Sequence, residues 1–558
     1  MKKIAKAAGL APAVMLAFTS CSKLGPLSAD NFTVTPAPLE VTAGQVPYTI
    51  QGHFPEKYMK RKAIVAVTPE LRYAAGVSTD NAARAVFQGE KVQGNAQEIS
   101  YRLGGNYTLR GAFGYTPDMQ VSDFYLKFDA RIGKKQVSVP DVRIGYGIVA
   151  TSTLAARCAA SADYALSEDA FQYTTEMSRT GQIKFLINQA KVRTSELNSV
   201  SVQEFVQTLR DIKADQKGFE IAGVEISAYA SPEGSLAFNT RLAGQREKAT
   251  ADYVKSQLAK LALESEFESG YTAEDWEGFQ ELVRASNMQD KDVILRVLSM
   301  YEDPEEREKQ IRNLSAAFSE LADEILPELR RARLTVNYLM IGRTDDEIAE
   351  QYAADASQLN IEELLYFATL ADESDIKTQR DIYATAARLY PADYRAFNNL
   401  ARLAAAEGNM TEAENFLAQA RRLSSRAPEI GSNAALLALS AGDVAAAESH
   451  LALAGDAKNY AEALGNLQLQ KGEYAAAAAS LRGVNSNSAA LAQILSKDYA
   501  SAASTLGAIK NGDAMTKYLA AILAARIGDK TTAASLAQEA VRLDPTLAAY
   551  AAADIELK

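Results

Sequence analysis

The sequence predicts a multidomain protein: an N-terminal β-sandwich of immunoglobulin type over residues 30–150, a central α/β layer over 183–343 and a C-terminal α-solenoid over 360–558. Three observations predict it. Apolar residues alternate with a period of two in the first part, strand and helix patterns alternate in the second, and an alanine-rich pattern recurs in the third. A chain of 558 residues exceeds what one hydrophobic core supports, so a division into several domains is expected.

Residues 1–20 read as a signal peptide, outside the fold. Lys2, Lys3 and Lys6 form a basic start, and Gly9 to Phe18 is an apolar stretch too short to span a bilayer. Thr19 and Ser20 directly precede Cys21. This resembles the lipobox of bacterial lipoproteins, which implies that Cys21 is lipidated, that its acyl chains anchor the protein to outer-membrane lipid, and that 21–29 is a linker. The alternative is a plain secretory signal with a chance cysteine. No acidic cluster follows Cys21, of the kind some Bacteroidota use to direct lipoproteins outward, so the periplasmic face of the outer membrane is expected. With Cys21 lipidated, Cys158 in "LAARCAASADYAL" has no partner for a disulfide and reads as a quiet buried thiol. His53 and His450 lie in different regions, so no metal site and no cofactor is expected. A net charge of −11 without a Lys/Arg run argues against nucleic acid.

Residues 30–150 carry "FTVTPAPLEV", "PYTIQGHF", "AIVAVTPEL", "YTLRGAFGY", "DFYLKFDARI" and "VSVPDVRIGYGIV", each with the alternation of a half-buried strand. No helical run interrupts them, hence the sandwich. Through "PLEVTAGQVPYTIQGHFPEKYMKRKAIVAVTPEL" the region resembles N-terminal domains of uncharacterised Bacteroidota lipoproteins, and no function follows. The basic "EKYMKRK" reads as a solvated loop. Residues 151–182 are expected to be a linker.

In the central region Ile183, Phe185 and Ile187 alternate along a strand, Phe205, Leu209 and Ile212 follow helical spacing, and "FEIAGVEISAYA" is a second strand. Pro232 and Gly234 then turn the chain into a helix whose Phe238, Leu242, Tyr253 and Val254 face a core. "LRRARLTVNYLMIG" is a last strand after an acidic helical insertion at 262–330, in which Trp276 reads as a packing anchor. The order is β-α-β-α, insertion, β, with parallel crossovers. "IKFLINQAKV", "VEISAYASPEGSLAFNTRLAGQREKATADYV" and "RRARLTVNY" resemble the OmpA C-terminal-like domain, a module that binds the diaminopimelate-containing stem peptide of peptidoglycan. The resemblance places Gly234, Asn239, Leu242 and Arg246 at the family's positions and implies that Arg246 grips a stem-peptide carboxylate with its planar fork. Ser231 stands where the family has the aspartate that meets the ligand's ammonium, and Ala230 where it has threonine. The loss removes a charge-assisted contact worth about 1.5–3 kcal/mol, which Glu233 is positioned in sequence to replace. The alternative is structural: Asn239 braces the turn and Arg246 pairs with Glu225 or Glu233.

From about residue 360, "AEGNMTEAENFLAQA" and "SAGDVAAAESHLALA" align so that Gly408, Ala413 and Leu417 recur as Gly442, Ala447 and Leu451. Gly472, Ala477 and Leu481 continue the pattern, as do Ala502 with Leu506 and Gly528 with Ala533 and Pro545. This resembles the tetratricopeptide (TPR) repeat, in which a glycine closes the first helix and a small residue lets two helices approach. "DIYATAARLYP" is a leading half, giving five or six units. The resemblance implies a concave face that binds a protein partner; a spacer without ligand is the alternative.

No Walker loop, nucleophile elbow, HExxH or histidine-dependent centre is present, and the protein is read as a non-enzyme. Two functions follow from the resemblances. One is a lipid-anchored scaffold that tethers the outer membrane to peptidoglycan and recruits a protein partner through its repeats. The other is an assembly factor for a secretion, fimbrial or surface complex whose OmpA-like domain has lost its cell-wall ligand.

Overall fold

The computed structural model describes residues 23–558 apart from 233, 289, 302 and 314–320. The signal segment, the lipidation expected at Cys21, and Glu233 lie outside the described residues. Among those described, no helix is long and apolar enough to cross a membrane. The chain forms two compact units, one of residues up to 168 with 368–558, the other of 169–367.

The first unit begins with two sheets. Strands Phe32–Thr35, Gln45–Phe54 and Gly105–Gly114 form one. The other is built around Ala63–Tyr73 and Ser122–Ile132. Along Gln45–Phe54 alternate side chains are buried, and they meet the second sheet through aromatic pairs: Tyr48 with Phe124 and Phe54 with Phe87, each 5.2 Å between ring centroids. Period-two patterning thus makes a sheet-on-sheet core.

Residues 394–543 form five antiparallel helical hairpins, a TPR-like array: Tyr394–Ala406 with Met410–Leu423, Pro428–Ser440 with Val444–Leu451, Tyr460–Gln470 with Tyr474–Ser480, Asn487–Leu495 with Tyr499–Ala508, and Ala514–Arg526 with Lys530–Leu543. One turn recurs in all five. The residue opening each second helix returns its N–H to a carbonyl five residues back, as in Asn409 to Ala404 and Asp443 to Ala438, at 2.8–2.9 Å. That closure needs a left-handed residue just before it. Gly408, Gly442, Gly472 and Gly528 supply it at φ +77°, +79°, +77° and +89°; in the fourth hairpin Lys497 does so at +65°. Ala413, Ala447, Ala477 and Ala502 are fully buried where the helices touch, and Ala533 nearly so.

The stretch expected to be a linker at 151–182 is a packed element over most of its length. Thr151–Leu154 is a 3-10 turn, Ala155–Ala160 a helix, and the chain to 168 belongs to the first unit. The small residues of "AARCAA" let this helix lie across Pro428–Ser440, Tyr460–Gln470 and Asn487–Leu495, the first helices of three successive hairpins.

The second unit is a four-stranded sheet in the order Thr174–Lys184, Arg331–Ile341, Phe219–Tyr229, Phe267–Thr272. Arg331–Ile341 runs antiparallel to both neighbours, and the last two strands are parallel. Helices Val200–Ala214 and Leu236–Leu261 cover one face, with Phe205, Leu209, Ile212 and Val254 against Ile183, Val224, Ile226 and Leu334. Two sequence expectations change. The first strand starts earlier and ends at Lys184, leaving Ile187 53% exposed, because the chain turns through Asn188 at φ +56°. The insertion at 262–330 also contains the edge strand Phe267–Thr272. Trp276 packs on Phe279 at 5.6 Å and donates its indole N–H to Glu274.

Lys497→Gly relieves a left-handed lysine and is expected to raise stability by about 0.5–1 kcal/mol. Gly465→Ala drives a methyl to within 2.3 Å of Leu481 and is expected to cost about 1–3 kcal/mol. Thermal unfolding of the intact chain reads both.

Candidate functional site

Arg246 projects from Leu236–Leu261 towards the sheet and is 1% exposed. Nε donates to the Gln189 carbonyl at 3.0 Å, Nη1 to that of Tyr229 at 2.8 Å and Nη2 to that of Leu186 at 3.3 Å. Its guanidinium carbon lies 5.1 Å from the Phe185 ring centroid. The fork anticipated for an external carboxylate is therefore turned inward. The reason is local: the chain doubles back after Lys184, and the carbonyls it leaves over the end of Phe219–Tyr229 need donors.

The neighbouring candidates are closed too. Asn239 is 2% exposed and donates to the Gly234 carbonyl at 2.9 Å and to Glu274 at 3.5 Å, bracing the turn. Ser231 is buried, and a Cβ on Gly234 would lie 3.1 Å from the Asn239 amide oxygen. Glu225 accepts from Asn337 at 2.9 Å. Arg246 and Asn239 each brace their own chain, and Ser231 is buried beside the turn.

A different site emerges on the repeat array, from residues the sequence reading passed over. Asn399 and Asn433 occupy equivalent places in the first helices of the first and second hairpins, and Asn459 caps the first helix of the third. Their side chains hold the main chain of 163–167. Asn433 accepts from the N–H of Ala165 at 2.7 Å and donates to its carbonyl at 2.9 Å. Asn399 does the same for Ser167, at 2.8 and 3.0 Å. Asn459 donates to the carbonyl of Asp163 at 3.0 Å, and Asn398 adds a second donor to that of Ala165. Positions 163, 165 and 167 alternate, as one edge of an extended chain does. A primary amide, with one donor face and one acceptor face, pairs with a peptide group as a neighbouring strand would.

Side chains anchor the same segment. Leu154 and Cys158 are buried among Leu481, Leu491, Ile494 and Leu519, and Tyr164 beside Ala404, Ala405 and Leu436. Ser167 donates to Glu429, which also accepts from Tyr394. Arg157 reaches Asp544, and Lys458 pairs with Glu168. Cys158 is fully buried, which pushes its thiol pKa well up. Burial likewise raises the carboxyl of Glu462, against hydrogen bonds from Ser488, Ser486 and Asn466.

No family model and no curated protein matches the chain. Solved structures similar to it include a tetratricopeptide repeat protein from Parabacteroides merdae, with 12% identity over 44% of this chain and 99% of that one and a TM-score of 0.30. The pilF protein of Pseudomonas aeruginosa is 21% identical over 37% and 97%, with a TM-score of 0.26. YrrB, described as a TPR protein with an unusual peptide-binding site, is 13% identical over 37% and 96%, with a TM-score of 0.20.

Arg246→Ala removes the donor from three carbonyls and empties a buried site, and is expected to destabilise the chain by about 3 kcal/mol, with Arg246→Lys intermediate because one ammonium cannot face all three. Differential scanning calorimetry resolves the loss. For Glu462, a raised native pKa means that the fold favours the protonated acid. Its contribution is full below the ordinary glutamate range and is lost as pH rises from there through the raised native value. Glu462→Gln is expected to stabilise the array at neutral pH more than in acid, seen as a pH-dependent gap between the two melting curves.

Proposed function

We propose that the protein is a non-catalytic scaffold of the bacterial cell envelope, lipid-anchored through Cys21 on the periplasmic face of the outer membrane, that recruits a protein partner through its repeat array. The observation that carries this is the row of asparagine amides reading alternate peptide groups of an extended segment, a chemistry that recognises polypeptide and nothing smaller. The signal segment with its basic start, and Thr19 and Ser20 before Cys21, support the anchor.

The central unit keeps the strand and helix order that the OmpA C-terminal-like resemblance implies, but its arginine fork is spent on its own chain. Serine at 231 in place of aspartate points the same way. The reading is therefore the assembly-factor one, for a secretion, fimbrial or surface complex, with a central domain that does not hold the cell wall. Purified sacculi mixed with the mature protein are expected to leave it in the supernatant. Retention that disappears in a folded Arg246→Lys variant would restore the tether and sink this reading. Cys21→Ser is expected to move the protein from the membrane to the soluble fraction.

A further inference from the structure

The groove's occupant is held in two unlike ways along its length. Residues 154–160 are fixed by side-chain burial, with Leu154, Ala155, Cys158 and Ala159 at most 1% exposed. Residues 161–168 combine side-chain contacts at Ser161, Tyr164, Ser167 and Glu168 with main-chain pairs at 163, 165 and 167. The side-chain contacts are specific to this segment, whereas the main-chain pairs are ones any extended peptide presents.

The fit of the extended half is also incomplete. At Ala165 and Ser167 an asparagine pairs with both the N–H and the carbonyl. At Asp163 only the carbonyl is held, because the chain leaves the extended course for the Ala155–Ala160 helix. The amide oxygen of Asn459 is left buried with no partner among the described residues. Tyr164 buries its hydroxyl without a partner, in a core cluster made mostly of alanine and leucine. Each unmet group is a standing cost that a better occupant removes.

We propose that the groove is built for an extended peptide from a protein partner, and that 161–168 is a stand-in which that peptide displaces while 154–160 stays docked. The peptide would carry small residues at the positions of Ala165 and Ser167, an apolar ring such as phenylalanine in place of Tyr164, and a straight course past the position of Asp163 so that its N–H reaches Asn459. This deepens the protein-recruiting reading and rests on it. The tethered segment competes with the partner, so the apparent affinity scales with the fraction of molecules in which 161–168 is out of the groove.

Hydrogen exchange on the intact protein tests the division. The Ala165 and Ser167 amides are expected to exchange by local opening while Cys158 stays closed to a thiol reagent, in protein whose Cys21 is lipidated or replaced by serine. Exchange of those amides only in step with Cys158 labelling overturns the proposal. A fluorescent peptide of sequence 161–168 with phenylalanine at the Tyr164 position is the ligand probe, read by anisotropy. It is expected to bind Ala165→Pro, whose own segment lacks the N–H that Asn433 accepts, at least about tenfold tighter than wild type, and to lose binding when Asn399→Ala is added. No gain in Ala165→Pro with Cys158 still protected, or exposure of Cys158 in that variant, overturns it; if the variant does not fold, the wild-type exchange data decide. A partner that binds while the Ala165 and Ser167 amides stay as protected as before keeps the recruiting reading and removes this one.

Discussion

The first unit depends on one constraint: a stretch of main chain buried against an α-helical surface has to find donors and acceptors there. Helices offer none, since their own peptide groups are paired internally. Here the need is met by side chains. Asn398, Asn399 and Asn433, each at most 1% exposed, turn an alanine-rich surface into one that reads backbone, and they bond to each other as well. Because the segment they hold continues directly from the sandwich, the same amides bring the N-terminal third of the chain and the repeat array into one compact unit.

The second unit answers the same demand with a cation. Arg246 serves three carbonyls that a loop leaves above a strand end, and the aromatic face of Phe185 shields it. Buried charge is tolerated when each direction of the fork meets an oxygen. A residue type that suits recognition of an outside carboxylate suits this internal role equally well, and only the surroundings tell the two apart.

That is why the fold was more legible in the sequence than the site. The hairpins could be placed because each turn has a local requirement, a left-handed residue followed by a cap, that glycine with Asn409, Asp443 or Asp529 announces. The sandwich strands could be placed because burial alternates along them. Arg246 could be placed on its helix, but its partners, the carbonyls of Leu186 and Gln189, leave no mark in composition or spacing. The role of 151–168 was hidden for a similar reason: its residues are small, and what they fit lies hundreds of positions away. One signal was there to be used. Asn399 and Asn433 recur in step with Gly408 and Gly442, and a polar residue repeated on the apolar face of a helix calls for a partner.

The clasp has a consequence for how the chain reaches its final form. Ala165 meets Asn433 across 268 positions, Asn487 meets Ser161 across 326, and Thr151 meets Glu556 across 405. On a ribosome the early partner of each pair emerges long before the late one, so the strip from Leu154 to Leu166 stays bare and sticky until the final hairpins are made. Nascent-chain holdases have a defined target there, and a protein truncated ahead of Pro428–Ser440 would leave most of that strip uncovered for good.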